Sequence, residues 1–238
     1  MRWSLLTLAA LVVTLLGAEP LPAEDLGIVR VVTRPKAGQP LGQFTAAHLG
    51  SGVLLTCGHC CKAAGGIDAI VNVEILSAAD RKPYRTVAAS VVCYNETADV
   101  GVLRFEQPDA LQTTCALAPR DYDLEVGTPV LLYTWQPGGR QLRSVPSVIT
   151  KLNLFAGPAN IETRQAPVVG DSGAPLVLRG DRLVIGVTTG ADYWNRFGVH
   201  AGLDAIHDVL AQCPVRVPVT TIQTAAGAAS NDNGAARR

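Results

Sequence analysis

The sequence has little charge and few aromatic residues for its length. Of its 238 residues, 17% are charged and 5% are aromatic, and 20 basic side chains balance 20 acidic ones to give a formal net charge of zero. A chain without an excess of positive charge, basic patch or aromatic ladder is not suited to binding nucleic acid or an anionic membrane surface, so we expect neither partner. Apolar residues make up 48% of the chain, which is enough to bury a large core.

Long apolar runs are also missing, except near the first residue. Residues 1–17 have a short cationic start followed by an apolar stretch that is too short to span a bilayer as a mature helix. This pattern predicts a signal peptide over residues 1–23, with an uncleaved anchor as the alternative. Residues 218–238 are rich in Thr, Ala, Gly and Asn, a composition that predicts a disordered tail. The sequence therefore predicts one secreted or periplasmic domain over residues 24–217.

Short apolar runs alternate with turn residues along the body of the chain, and no long helical period appears before its end. Many short strands at close spacing favour a sandwich or barrels. Apolar residues recur at helical spacing only in Gly202–Gln212, which we predict to be a helix. The predicted strands are Ile28–Thr33, Gln43–Leu49, Val53–Thr56, Ala69–Leu76, Thr86–Tyr94, Val100–Phe105, Thr128–Thr134, Leu142–Leu154, Ala174–Leu178, Leu183–Thr189 and Arg196–His200.

The segment VVGDSGAPLV, residues 168–177, places a serine between small residues and ahead of an apolar run typical of a buried strand. Gly170 and Gly173 permit a tight turn in which backbone N–H groups point into one hollow, as is needed to hold the oxyanion of acyl transfer. We expect Ser172 to be a nucleophile and the amides of Gly170 and Ser172 to form the oxyanion hole. The alternative is an ordinary turn between two strands, because these residues are common in turns.

A serine nucleophile needs a base to take its proton and a carboxylate to orient that base. The chain has four histidines. One of them, His59, ends a glycine-bounded apolar strand. Asp99 stands at the head of another apolar strand, where an isolated buried carboxylate would be costly without a hydrogen-bonding partner. The order His59, Asp99, Ser172 is that of the chymotrypsin type of triad and differs from the order in α/β-hydrolases.

These segments resemble the signatures of trypsin-like, or chymotrypsin-fold, serine endopeptidases. The matching motifs are Thr-x-x-His-Cys at residues 56–60, Asp-Val-Gly-Val-Leu at 99–103 and Gly-Asp-Ser-Gly-Ala-Pro at 170–175. Residues 183–190 resemble the strand that pairs with the substrate backbone beside the primary specificity pocket. The resemblance spans roughly residues 28–213. Each motif is short, but four in the family's order are strong support.

The resemblance implies an all-β fold of two packed six-stranded antiparallel β-barrels with a C-terminal helix and a cleft between the barrels. The first barrel is expected at about residues 24–110 and the second at about residues 120–217. On that division, His59 and Asp99 come from the first barrel and Ser172 comes from the second.

The resemblance also implies a specificity pocket. Its base falls at Ala166, six residues before the predicted nucleophile, and its walls include Gly190 and Gly198. An uncharged base with glycine walls suits an apolar or aromatic side chain, because a cation bound there would lose water without gaining a counter-ion. Two residues leave alternatives open: Asp192 could lean into the pocket, and His200 could line its floor and favour acidic or amide side chains.

The chain has six cysteines, a number that fits an oxidising compartment but allows 15 disulfide connectivities. The resemblance implies a bridge between Cys115 and Cys213. Cys60 matches the family's cysteine after the histidine, yet no cysteine precedes residue 57 to be its usual partner. This departure suggests Cys93 as a partner for Cys60 or Cys61.

The Cys57-x-x-Cys60 pair, with His59 between the two cysteines, also suggests a metal or redox site. A zinc site needs four ligands, however, and a second ligand pair at regular spacing is missing. The βαβ context of a redox motif is missing as well. We therefore expect neither a metal nor another cofactor.

The sequence as a whole predicts a monomeric serine endopeptidase that hydrolyses protein or peptide substrates through an acyl-enzyme intermediate. Two alternatives remain open: a catalytically silent relative that binds a protein partner through the same cleft, and a serine esterase. In secreted relatives a new N-terminal ammonium pairs with the aspartate before the serine. Here the residues after Ile28 and Val29 depart from that pattern. We expect Asp171 to pair with an internal donor, without an activation cleavage.

Overall fold

Two β-barrels and two α-helices form the part of the chain that the computed structural model describes. The described residues are 26–33, 42–76, 83–135, 142–180 and 182–217. The predicted signal peptide, residues 1–23, and the predicted tail, residues 218–238, lie outside these ranges. Neither described helix is long and apolar enough to cross a membrane.

The first barrel contains six antiparallel strands in the closed order β1-β2-β3-β6-β5-β4. A short helix, α1 (Gly58–Ala64), follows β3 and packs against β5 and β6. Closure gives both edges of every strand a partner, which leaves no exposed sheet edge. The strands are β1 (Ile28–Thr33), β2 (Gln43–Gly50), β3 (Val53–Thr56), β4 (Ile70–Leu76), β5 (Pro83–Asn95) and β6 (Val100–Phe105).

The second barrel has the order β11-β8-β9-β10-β13-β12 and is closed by pairing between β11 and β12. One additional short strand, β7, pairs in parallel with β12. A 3-10 helix (Pro108–Ala110) lies in the connection between the barrels, and helix α2 (Leu203–Gln212) follows the last strand. The strands are β7 (Ala116–Leu117), β8 (Pro129–Trp135), β9 (Leu142–Leu152), β10 (Asn160–Thr163), β11 (Pro175–Leu178), β12 (Leu183–Asp192) and β13 (Phe197–Ala201).

The two-barrel, all-β prediction is confirmed, and most strand boundaries agree within one to three residues. One α-helix and two strands were not predicted, nor was the 3-10 helix Pro108–Ala110. Helix α1 has only seven residues, too few to show a helical period. Strand β7 has two residues, and strand β10 has the polar sequence NIET. In β10 the buried carboxylate of Glu162 accepts a hydrogen bond from the Thr150 hydroxyl at 2.8 Å, so a polar strand satisfies its buried groups.

The disulfide predictions were wrong. Cys93 in β5 is bonded to Cys213 at the end of α2, with the two Cα atoms 5.8 Å apart. The predicted Cys115–Cys213 bridge is absent because Cys213 pairs with Cys93, and the buried Cys115 thiol donates to the carbonyl of Leu26. Nor does Cys93 pair with either cysteine of α1; those two, Cys60 and Cys61, are free and buried. The bridge that is present ties the first barrel to the terminal helix.

Candidate active site

The three side chains predicted to form a triad lie within hydrogen-bond distance of one another. His59 Nε2 is 3.0 Å from Ser172 Oγ. His59 Nδ1 is 2.8 Å from Asp99 Oδ2 and 3.1 Å from Asp99 Oδ1. The His59 side chain is 46% exposed, so a substrate can approach the imidazole and the serine from solvent. The three side chains form a continuous chain of hydrogen bonds from the Asp99 carboxylate through the His59 imidazole to the Ser172 hydroxyl.

Asp99 holds both the backbone and the side chain of His59. It lies in the turn that leads into β6, with a left-handed φ of 50° that few residues other than glycine, asparagine and aspartate adopt. Its Oδ1 accepts a hydrogen bond from the backbone N–H of His59 at 2.7 Å. The carboxylate therefore fixes the start of α1 as well as the imidazole, which leaves Nδ1–H as the donor and Nε2 free to accept a proton.

The turn that carries Ser172 is held against the first barrel. The backbone carbonyl of Ser172 accepts a hydrogen bond from the N–H of Thr45 in β2 at 2.9 Å. Gly173 has a φ of 77°, and a Cβ atom there would clash with the Thr56 hydroxyl and the Thr45 carbonyl. Position 173 therefore requires glycine, because the positive φ and the lack of space for a Cβ atom each exclude a side chain.

Two backbone amides of the turn make no hydrogen bond to an acceptor among the described residues. The N–H groups of Asp171 and Gly173 donate to the carbonyls of Val168 and Thr188 at 3.0 and 2.9 Å. The N–H groups of Gly170 and Ser172 have no acceptor among the described residues. These are the two amides that the sequence analysis predicts to form the oxyanion hole. Unpaired donors beside a nucleophile are the groups that an oxyanion hole requires.

Asp171 is buried behind the turn and is satisfied from within the chain. Its side chain is 3% exposed. The carboxylate accepts hydrogen bonds from the Thr134 hydroxyl and the Val168 N–H, both at 2.7 Å, and from Arg143 Nη2 at 3.3 Å. This agrees with the prediction of an internal donor. The contacts fix the loop that precedes Ser172.

Comparison with known proteins assigns the chain to a family. The family model described as "Trypsin-like peptidase domain" matches residues 42–187, which include all three side chains of the site. The chain belongs to the trypsin-like peptidase family. As a member of that family, it is a serine protease and thus a hydrolase. A search of curated proteins gave no match.

Solved structures of proteases share the fold of this trypsin-like peptidase. The active form of the Rv3671c protease from M. tuberculosis matches with a TM-score of 0.65 at 20% identity, over 83% of this chain and 85% of that chain. An inactive form of the same protease matches with a TM-score of 0.63 at 20% identity, over 81% and 91% of the two chains. A serine-to-alanine variant of the HtrA-type protease AlgW with a tripeptide matches with a TM-score of 0.61 at 18% identity, over 79% of this chain and 60% of that chain.

The electrostatics of the peptidase site centre on His59. The hydrogen bond to Asp99, followed by the contact with Cys57, raises the pKa of His59 above its ordinary value. Burial raises the pKa of the Cys57 thiol, but hydrogen bonds with Cys60 and His59 outweigh burial and lower that pKa to about 6. Cys57 and His59 thus stabilise each other's charged forms.

The contact between Cys57 and His59 was not anticipated as part of the site. Cys57 Sγ lies 3.6 Å from His59 Nε2, the same nitrogen that faces Ser172. The sequence analysis noted the Cys-x-x-Cys pair around the histidine, but the sequence alone does not indicate which imidazole nitrogen the sulfur faces. Thr134 and Arg143, which hold Asp171, were also missed, because nothing in β8 or β9 marks them as partners of a residue about 30 positions away.

The predicted pocket residues occupy different environments. Ala166 lines a cavity of about 50 Å³ together with Arg143 and Asp171. Gly190 faces open space. Gly198 packs against the His200 ring, where an added Cβ would lie 3.0 Å from Nε2. Whether these residues bind a substrate side chain remains a prediction.

His200 is buried beneath that glycine. Its two ring nitrogens are 2.9 Å from the Thr163 hydroxyl and 3.1 Å from the Thr188 hydroxyl. Burial lowers the pKa of His200 to about 3, so the ring is neutral at physiological pH. Asp192, the other residue that left an alternative open, has an exposed carboxylate that accepts hydrogen bonds from the backbone of Trp194 and from Asn195.

Proposed function

We propose that this trypsin-like peptidase is an endopeptidase that hydrolyses peptide bonds through an acyl-enzyme intermediate, with Ser172 as nucleophile, His59 as general base and Asp99 as its orienting partner. One observation carries the proposal: His59 Nε2 lies 3.0 Å from Ser172 Oγ while Nδ1 lies 2.8 Å from Asp99. This geometry supplies the two hydrogen bonds that activation of a serine requires.

In the first half of the reaction, Ser172 Oγ attacks the carbonyl carbon of the scissile bond and its proton moves to His59 Nε2. The oxyanion of the tetrahedral intermediate accepts hydrogen bonds from the Gly170 and Ser172 amides. The C–N bond then breaks, the amine leaves with the proton from His59, and the acyl group stays on Ser172. Asp99 stays ionised and stabilises the imidazolium form of His59.

In the second half, water attacks the acyl carbon and gives a proton to His59. The ester bond to Ser172 breaks, and the hydroxyl regains its proton from Nε2. The carboxylic acid product leaves. One water is consumed for each peptide bond that is cleaved, and no cofactor takes part in any step.

The enzyme is proposed to act outside the cytoplasm as a monomer. A signal peptide over residues 1–23 would direct export, residues 24–217 would form the mature domain, and residues 218–238 would be a tail. The disulfide between Cys93 and Cys213 supports this location, because such bonds persist in oxidising compartments.

Specificity for an apolar or aromatic side chain is proposed for the pocket near Ala166, Gly190, Gly198 and His200. Both nitrogens of His200 are within hydrogen-bond distance of threonine hydroxyls, and burial keeps the pKa of the ring low. A neutral, satisfied ring offers no charge to an acidic side chain, so the alternative preference for acids is disfavoured.

Digestion of a peptide library tests the proposal. The wild type is expected to cleave within peptides, with sites grouped by the residue before the scissile bond, while Ser172→Ala cleaves nothing. Ser90→Ala, a serine in β5 of the first barrel, is the matched control and is expected to cleave like the wild type. Hydrolysis of simple esters without peptide cleavage would support the esterase alternative. No turnover of either substrate by folded protein would support a silent binding module.

A further inference from the structure

A cluster of three side chains that could hold a metal ion includes His59, whose Nε2 is the base of the proposed mechanism. The sulfurs of Cys57 and Cys60 and one nitrogen of His59 all lie within 4.8 Å of one another. Both cysteines are free thiols; Cys57 is fully buried and Cys60 is 8% exposed. Two thiols and an imidazole are the ligands preferred by zinc and other soft divalent ions.

We propose that Cys57, Cys60 and His59 Nε2 form an inhibitory binding site for a thiophilic divalent cation such as Zn²⁺, with a water or the Ser172 hydroxyl as the fourth ligand. The inhibition, though not the binding, rests on the proposed peptidase function. The sequence motif alone disfavours a metal, because it lacks a second ligand pair. The fold changes that argument by bringing the Ser172 hydroxyl to 3.0 Å from the same nitrogen.

The separation of one ligand pair fits a tetrahedral ion. Bonds of about 2.3 Å from zinc to sulfur and about 2.0 Å to nitrogen place the two ligand atoms about 3.5 Å apart. Cys57 Sγ and His59 Nε2 are 3.6 Å apart. Three protein ligands with one open position are also the pattern of zinc sites that bind an exchangeable ligand.

The neighbouring cysteine is outside the cluster. Cys61 follows Cys60 in α1, but its sulfur packs over Gly101 of β6, where an added Cβ would collide with it. It is buried and free, like the two proposed ligands. Cys61 is therefore a matched control for the chemistry of a buried thiol near the site.

Binding and catalysis would exclude each other. The nitrogen of a neutral imidazole has one lone pair, and an ion that holds the Nε2 lone pair leaves none to accept the Ser172 proton. Binding would release whatever protons the two sulfurs and Nε2 carry, because thiolates and an unprotonated imidazole nitrogen are the ligands. Removing the ion with a chelator would restore the base. Inhibition would thus be reversible and would follow occupancy of the site.

Full-length protein is treated with chelator, its free thiols are counted, and Zn²⁺ is then titrated into it. The rate of peptide hydrolysis is measured for each variant relative to that variant's own metal-free rate. Wild type is expected to lose at least ten-fold in rate at saturation and to recover with chelator. Cys57→Ala and Cys60→Ala are each expected to need at least about a hundred-fold more Zn²⁺. Cys61→Ala is expected to respond like the wild type. Unchanged Zn²⁺ sensitivity in both folded ligand variants would overturn the proposal.

Binding is measured separately with Co²⁺ as the probe. A sulfur-to-cobalt charge-transfer absorption is expected in the wild type and in Ser172→Ala, and it is expected to vanish in Cys57→Ala and after alkylation of the thiols. Protein in which Cys57 and Cys60 have been oxidised to a disulfide is expected to bind no metal. Charge-transfer absorption in wild-type protein that, when metal-free, also lacks peptidase activity would mean that the proposed function fails while the metal site stands. Absence of that absorption in reduced wild type would overturn the site.

Discussion

The buried carboxylate of Asp171 offers a direct test of how the turn that carries Ser172, the proposed nucleophile, is held in place. Replacing Thr134 by valine keeps the shape of the side chain but removes the hydroxyl that donates to Asp171 at 2.7 Å. The Val168 amide and Arg143 remain as donors, so the carboxylate stays partly satisfied. A hydrogen bond to a charged group contributes about 1.5–3 kcal/mol, and the lost bond should reduce the free energy of unfolding by about that amount. For a domain of this size the melting temperature should fall by about 3–12 °C.

The same substitution should reduce activity more than stability alone explains. Asp171 lies between Gly170 and Ser172, whose amides are the proposed oxyanion hole, so a looser carboxylate displaces both donors. Loss of one such donor in other enzymes costs about 100- to 1000-fold in kcat. A partial displacement should reduce kcat by about 10- to 100-fold and leave KM nearly unchanged, because the donors act on the transition state.

Thr150→Val is the matched control for Thr134→Val. The Thr150 hydroxyl also donates to a buried carboxylate, that of Glu162, at 2.8 Å, but on the sheet of β9 and β10 away from the turn. The control should lose comparable stability in urea unfolding and keep its kcat. Steady-state kinetics of the two variants under conditions where both are folded then separates the effects. If Thr134→Val loses no more kcat than Thr150→Val, Asp171 does not position the oxyanion hole and the reasoning fails.

Three further predictions concern the triad, the turn and the buried histidine. Ser172→Ala and His59→Ala should each reduce kcat by about a million-fold, and the double variant should lose little more. Asp99→Asn should reduce kcat by about ten-thousand-fold. Additive losses in the steady-state rates would contradict the assignment of roles. Gly173→Ala should lower the melting temperature and abolish activity, because its φ of 77° and the crowding by β2 and β3 exclude a Cβ; a folded, active variant would show that the turn adapts. Burial lowers the pKa of His200 to about 3. Between about pH 6.5 and pH 3 the unfolded chain therefore binds a proton at this histidine that the native state does not. The free energy of unfolding consequently decreases as the pH falls from about 6.5 towards 3. Urea unfolding should show this loss at up to about 1.4 kcal/mol per pH unit, and His200→Gln should make the slope shallower. An unchanged slope would contradict a neutral, buried ring.

Much of the fold was predictable because its signals are local. Strands such as Val53–Thr56 and Val100–Phe105 are short, mostly apolar runs bounded by glycine or polar residues, and their observed limits match the predicted ones. Strand β10 was not predictable from its own residues, because NIET is buried only when Thr150 and Lys151 of β9 pair with Glu162. Helix α1 was not predictable, because its seven residues are too few to show a helical period.

The candidate site was also predictable only in part. The motifs around residues 59, 99 and 172 identify side chains that the fold brings within hydrogen-bond distance, although their roles remain predictions. The disulfide was not predictable, because pairing depends on which cysteines the two barrels bring together, and the family pattern suggested the wrong partner for Cys213. The position of the Cys57 sulfur beside Nε2 depends on the start of α1, which no sequence pattern marked.

Covalent labelling with a fluorophosphonate probe tests the central claim most directly. The probe reacts only with a serine whose hydroxyl is activated by a base, and mass spectrometry locates the modified residue. The account predicts that folded wild-type protein carries one label, on the peptide that contains Ser172, and that His59→Ala carries almost none. Labelling at another serine, or no labelling of folded, metal-free and reduced protein, would contradict the account.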